Sequence, residues 1–372
     1  MSLDKPFFAL LGPTLIGPGE CAAIIADAQT YYVAKAPIPA KADPFSPIIN
    51  LIEWLNIKEE GGGKAAKLKD NPIYHIGWDL AIHETAMASQ NNWTLEKLAN
   101  KKPTVKDQSA LEMRVYKENP VAAPIPAQPL SAALAKFKIS QLAPGPAVLL
   151  TDNKLQKLYM LSAFSIAAQK AKDHGRVIAI LTHSSGEIWS YGIKSHENSI
   201  LHAEVTAIQN LFVNEPQRAA RLKTEETWLF TTLKPCRMCA AMISACGAGK
   251  IHVVYGQNDS GAEATDTCLD WNAGKHHKLA VDLNLKDKEQ KLKDPLPKTL
   301  LTGLEGVRAL SPGGPIVHLL DGVDSRALMT LAHARTVHKV QKYDQAQDSD
   351  KKRVMAHLAS FLRAIEVIEA HQ

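Results

Sequence analysis

The sequence predicts an α/β fold for its middle stretch, on three observations. Helix-forming and β-branched runs alternate between residues 154 and 256, turn residues mark their junctions, and a chain 45% hydrophobic and 22% charged has the composition of an ordinary globular protein. Taken in order, "KLQKLYMLSAFSIAAQKAK" (154–172) is apolar-rich and free of Gly and Pro, with Thr151 or Asp152 available as a cap, which predicts a largely buried helix. Residues 177–181 and 188–193 flank "THSSGE" and predict two strands joined by a turn. In 201–213, "LHAEVTAIQNLFV", Val205, Ile208 and Phe212 recur at helical spacing. "TWLFTTL" (227–233) is β-branched and aromatic, "CRMCAAMISAC" (236–246) is helix-rich in Ala and Met, and "KIHVVYG" (250–256) closes the series as a strand. The order is helix, strand, strand, helix, strand, helix, strand: a sheet covered by helices.

The flanks differ in character. A length of 372 residues suggests two or three domains. Residues 1–118 mix Gly-Pro turns, short apolar runs such as "IINLIEWL" and a triple glycine, and read as a separate N-terminal domain of unassigned role. "KEEGGGKAAK" does not complete a phosphate loop, because Lys64 directly follows Gly63 and Ala65 stands where Ser or Thr is needed. Residues 119–150 open with four prolines in twelve residues and read as an extended connector; 151–283 hold the α/β domain. Residues 284–372 read as a helical extension, with Val354, Leu358, Phe361, Ile365 and Ile368 on one face of an amphipathic helix that packs on its own protein or on a second subunit.

Neither an export signal nor an apolar stretch of about 18 residues occurs, so the expectation is a soluble, cytoplasmic protein without a membrane partner. Five sparse cysteines (Cys21, Cys236, Cys239, Cys246, Cys268) suit a reducing compartment and argue against a disulfide framework. A net charge of +5 permits an anionic partner without requiring one.

The chemistry concentrates in "LKPCRMC". Pro235 is tolerated at a helix start, Cys236 and Cys239 at i and i+3 share a helical face, and the positive end of the helix dipole favours the thiolate that a metal needs. Two thiolates do not complete a zinc shell, and His202 of "HAE", 34 residues before Cys236, offers a third ligand at the start of another helix. One histidine and two cysteines leave a position open for water, and Glu204 is placed to move that water's proton. Two rival readings stand beside this one: a redox CxxC, which explains neither His202 nor Glu204, and a structural zinc completed by Cys268, His276 or His277. Cys246 reads as a buried core thiol and His183 as turn surface.

HxE followed by PCxxC is the signature of zinc-dependent nucleobase deaminases. Over residues 152–260 the chain resembles the cytidine deaminase-like superfamily. Its "HAEVTAI", "TTLKPCRMCAAMI" and "IHVVYGQND" look most like the branch of guanine deaminases and tRNA adenosine deaminases. The resemblance implies a three-layer α-β-α domain in which His202, Cys236 and Cys239 hold Zn2+ and Glu204 shuttles protons, replacing the amine of a nucleobase by a carbonyl with release of ammonia. The family often has Glu before the Pro-Cys pair, where this chain has Lys234. Many members place a substrate-holding asparagine at the end of the second strand, where this chain offers Lys194, with Asn198 further on. Asn258 and Asp259, past a strand end, are further candidates for substrate contact. The expected substrate is a base within single-stranded DNA or RNA, tRNA included, given the extra domains and the basic Arg326, Arg335, Lys339 and Lys342. A free base, nucleoside or nucleotide is the alternative substrate. A silent, zinc-stabilised scaffold and a homo-oligomer complete the expectations.

Overall fold

The computed structural model describes residues 3–27, 29–39, 43–57, 64–100, 104–118, 121–124, 139, 142, 145–169, 177–195, 198, 200–258, 275–281, 283, 299–309, 322–342 and 345–369. The triple glycine, Asp259 and Cys268 lie outside them. Contacts divide the chain into two units, Met1–Ala133 with Glu197–Ile200, and Leu134–His196 with Leu201–Gln372.

The first unit contains α1 (Lys5–Leu15), β1 (Glu20–Ala26), β2 (Thr30–Pro37), α2 (Pro47–Leu55), α3 (Lys64–Leu68), β3 (Ile73–Ile76), α4 (Ile82–Gln90), β4 (Leu95–Lys97), α5 (Val105–Glu118) and β5 (Val121–Pro124). The strands form one sheet in the order β4-β3-β1-β2-β5, antiparallel at its centre and parallel at both edges. Strand β5 lies inside the proline-rich stretch, where extended backbone is the geometry that proline favours. Alternation divides β1 between two faces: Ala22, Ile24 and Ala26 join Phe7, Phe8 and Leu11 of α1 in one cluster, while Ala23 and Ile25, also buried, leave the other face to α2. "IINLIEWL" is helical because Ser46 caps it, accepting from the Ile49 N–H at 3.4 Å, and Pro47 occupies its first turn.

In the second unit, α6 (Asn153–Gln169), β6 (Ile178–His183), β7 (Ile188–Ile193), α7 (Ala203–Asn214), α8 (Pro216–Arg221), β8 (Thr227–Thr231), α9 (Arg237–Gly247) and β9 (Ile251–Tyr255) follow the order read from the sequence, except that the short helix α8 is an addition to it. Strand β10 (His276–Lys278) adds an edge, and α10 (Leu300–Ala309), α11 (Val323–Gln341) and α12 (Ser349–Glu369) make the C-terminal region helical. The sheet runs β10-β9-β8-β6-β7, with β8, β9 and β10 parallel and β6 antiparallel to both neighbours. Helix α6 covers one face, its Tyr159 ring stacked on Phe230 at 5.1 Å. Helices α7 and α9 cover the other, which makes an α-β-α layering.

The amphipathic stripe of α12 is core. Val354, Leu358, Phe361 and Ile365 are buried, Phe361 meets Tyr191 edge-on at 5.6 Å, and His357 Nε2 accepts from the Ile188 N–H at 3.1 Å. Helix α11 lies along α6, where Thr336 Oγ1 donates to the Leu161 carbonyl at 3.1 Å. Among the described residues no helix is long and apolar enough to cross a membrane.

Candidate active site

Because β6 is antiparallel to both β7 and β8, these two strands run the same way, and the helices that follow them start at the same edge of the sheet. Gly192 sets the first helix close to its strand. A Cβ there would lie 2.1 Å from the Ala203 carbonyl oxygen and 2.4 Å from the Ala207 nitrogen, so only glycine admits α7 at this distance. Two hydrogen bonds tie the helix down: Ser190 Oγ donates to the Ala207 carbonyl at 2.6 Å and Asn210 Nδ2 to the Tyr191 carbonyl at 2.8 Å.

His202 is the N-cap of α7 and Cys236 the N-cap of α9, each extended, with Cys239 one turn into α9. His202 Nδ1 lies 3.5 Å from each sulfur, and the sulfurs are 3.6 Å apart. A tetrahedral zinc with bonds of about 2.3 Å to sulfur and about 2.05 Å to nitrogen sets S···S near ~3.8 Å and S···N near ~3.6 Å. The triangle therefore fits such an ion without rearrangement, and among the described residues this trio is the group whose donor atoms converge as metal ligands would.

The electrostatics are those of a ligand set. Cys236 is held well below the ordinary thiol range by the hydrogen bond from Cys239, with His202 adding to this against burial. Cys239 is pushed up by burial and by its neighbour's bond and charge. For His202 burial disfavours the charged ring, but the bond and charge of Cys236 win and its affinity for a proton is raised. Both helix N-termini point their positive ends at this cluster.

Glu204, on the first turn of α7, is 2% exposed. Burial raises its proton affinity above the ordinary carboxyl range, with the His202 charge opposing. Its Oε1 accepts from the Thr231 hydroxyl at 2.8 Å, and the carboxylate is in hydrogen-bonding reach of Cys239. Thr231, at the end of β8, had no signal of its own in the sequence.

The substrate candidates scatter. Lys194 is half-buried and close enough for its charge to act on His202. Lys234 is buried, with Nζ 5.5 Å from the centre of the Tyr255 ring and its N–H donating to the Gln257 carbonyl at 2.9 Å. Asn198 counts with the first unit, where its amide is engaged: Nδ2 donates to the Glu53 carbonyl at 3.0 Å and Oδ1 accepts from the Ile200 N–H at 3.2 Å. Asn258 is exposed. His183 pairs in register with Thr227, the opposite end of β8 from Thr231, and bonds Glu225 there at 3.1 Å. Strand β10 carries His276 and His277 away from the sulfurs, with His277 Nε2 3.0 Å from Gln156 Oε1. Cys246 is buried, 3.7 Å from the Met242 sulfur.

Residues 168–280 match the family model of the Bd3614-like deaminases. The second unit carries a deaminase domain. Deaminases are hydrolases that act on C–N bonds. Solved structures similar to the deaminase domain include a dCMP deaminase from the cyanophage S-TIM5, 20% identical over 35% of this chain and 99% of that one, with a TM-score of 0.28. Another is a guanine deaminase from Nitrosomonas europaea, 12% identical over 39% and 85%, TM-score 0.28. A third is a diaminohydroxyphosphoribosylaminopyrimidine deaminase/reductase from Thermotoga maritima, 21% identical over 33% and 36%, TM-score 0.25. At these values the likenesses carry no argument about activity. No curated protein is detectably similar to the chain.

Proposed function

We propose that the deaminase domain is a zinc-dependent hydrolytic deaminase of an amine-bearing nucleobase. The observation that carries this reading is the His202–Cys236–Cys239 triangle, with edges of 3.5, 3.5 and 3.6 Å, beside a buried Glu204. Three protein ligands are the number that a catalytic zinc takes, and a structural site would have no use for a buried carboxylate next to it. Zinc, when bound, polarises a water so that it becomes nucleophilic near neutral pH. Glu204 takes one proton from the attacking water and gives it to the ring nitrogen of the base, then takes the second from the hydroxyl that this water leaves on the ring carbon and gives it to the amine, so that the carbonyl forms as ammonia departs. Thr231 holds the carboxylate in place between these transfers. Lys194 supplies positive charge near His202.

A base carried in single-stranded DNA or RNA is the favoured substrate, supported by the net charge of +5 and by Arg326 and Lys342, which lie exposed on α11 and at its end. The test is mass spectrometry of single-stranded DNA, single-stranded RNA, tRNA and free bases after incubation with the zinc-loaded protein, with Glu204→Gln as control. An amine-to-carbonyl mass change with the parent alone supports the reading. An equal rate in Glu204→Gln overturns the role given to Glu204, and conversion of free bases but not of polynucleotides moves the substrate to small molecules.

A further inference from the structure

Gln257 stands out in the deaminase domain. It is 2% exposed, yet neither its side-chain Nε2 nor its Oε1 has a hydrogen-bond partner among the described residues. Burying an amide without partners costs of order 1–3 kcal/mol, so such a group is retained where something else satisfies it.

Its place in the fold says what that is. Gly256, just before it, faces α6, since a Cβ there would lie 2.6 Å from the Phe164 ring and 3.1 Å from the Met160 sulfur. Continuing the alternation of β9, Tyr255 and Gln257 fall on the opposite face, the one covered by α7 and α9. Tyr255 is in register with Thr231, whose hydroxyl bonds Glu204, and the Gln257 carbonyl holds the Lys234 N–H two residues before Cys236. Gln257 thus ends its strand at the edge where both metal-binding helices begin.

We infer that Gln257 is a specificity-determining residue that binds the substrate base through its amide, an inference that rests on the reading above. A primary amide offers a donor and an acceptor side by side, and the chemical complement is a heterocycle with an adjacent acceptor and donor on one edge, either an amine beside a ring nitrogen or a lactam. Among the described residues the amide has no partner, and the base supplies both hydrogen bonds. An analogue that lacks the donor leaves the amide buried and unsatisfied, which is how a polar site rejects it.

The experiment uses the full zinc-loaded chain with Gln257→Met, which keeps side-chain volume and removes both polar atoms, and Gln257→Glu, which removes the donor. Without ligand, Gln257→Met keeps full zinc content and melts at or above the parent's Tm, because an unsatisfied amide is replaced by an apolar group. Cytosine, adenine and guanine are the probes, with unsubstituted purine as the analogue without an exocyclic donor. At least one of the three raises the parent's Tm more than purine does, and that rise is lost in Gln257→Met. On a base that is turned over, KM rises about tenfold or more with a smaller change in kcat, and Gln257→Glu falls between. A Gln257→Met protein that melts well below the parent, an unchanged KM, or no base that raises the parent's Tm overturns the inference. A parent that binds a base through Gln257 without converting it leaves the inference standing and refutes the proposed function instead.

Discussion

The Thr231 hydroxyl donates to Glu204 Oε1 at 2.8 Å and also lies 3.0 Å from the Leu233 carbonyl, so the last residue of β8 anchors the buried carboxylate beside His202, Cys236 and Cys239. A hydrogen bond to a charged group contributes about 1.5–3 kcal/mol. Thr231→Val, nearly isosteric, should lower kcat by roughly tenfold to a hundredfold while zinc content and KM stay near the parent's, because the carboxylate loses its orientation and the ligands do not move. Steady-state kinetics with metal analysis checks this; an unchanged kcat would show that Glu204 is positioned without Thr231.

Gly192→Ala places a methyl group where the first turn of α7 lies. Overpacking of this kind costs about 1–3 kcal/mol, and the displaced helix carries both His202 and Glu204. The variant should melt below the parent and bind zinc more weakly. Gly306→Ala, inside α10 where a Cβ meets nothing within 4 Å, is the control that should bind zinc as the parent does and melt at or slightly above it.

The proposed zinc site at the His202–Cys236–Cys239 triangle predicts a linked loss. Cys239→Ala leaves two ligands, and should purify without stoichiometric zinc and with a lowered Tm. Chelator treatment should bring the parent's Tm down toward that of the variant and leave the variant's unmoved, since ligand binding to the folded state alone is what raises Tm. A chelator shift of equal size in both proteins would place the stabilising metal elsewhere.

In the first unit, burial, reinforced by the Lys97 charge, holds His75 down to about 4 from an ordinary 6.5. The unfolded chain then binds more protons between those values. The stability that His75 contributes is fully present above about pH 6.5 and is lost as pH falls toward about 4, a swing of up to about 3 kcal/mol. Denaturant midpoints followed by circular dichroism should fall across this window in the parent, and His75→Gln should flatten the slope.

Cys21 is fully buried, and burial together with the charges of Glu84, Asp43 and Glu20 pushes its thiol up to about 12. A thiol reagent at mildly alkaline pH should therefore leave Cys21 unmodified in the folded protein and label it after denaturation, read by peptide mass spectrometry. Rapid labelling of the native chain would show that β1 opens to solvent.

Much of the deaminase domain was legible in the chain. Its helices and strands follow from periodicity and β-branching, and the HxE and PCxxC pairs put His202, Cys236 and Cys239 at two helix starts. These are local signals, since a cap, a proline or an i to i+3 spacing acts within one turn of backbone. The amphipathic stripe of α12 was legible too, but its destination was not: whether Phe361 met another subunit or Tyr191 depended on packing between residues 170 positions apart. Asn198 is near Lys194 in sequence, but its amide donates to the Glu53 carbonyl.

By itself, then, the sequence determined which residue types could hold a metal and which segments would be helix or strand, because those depend on neighbours along the chain. Only the tertiary structure decided that His202 and the two sulfurs lie 3.5 Å apart, that Thr231 reaches Glu204, and that Gln257 rather than Asn258 is the buried member of its strand end. The physical reason is that distances across a sheet are set by strand register and by where a glycine such as Gly192 lets a helix approach. Burial, which shifts proton affinities and leaves an amide without water, belongs to the assembled layers and to no single segment.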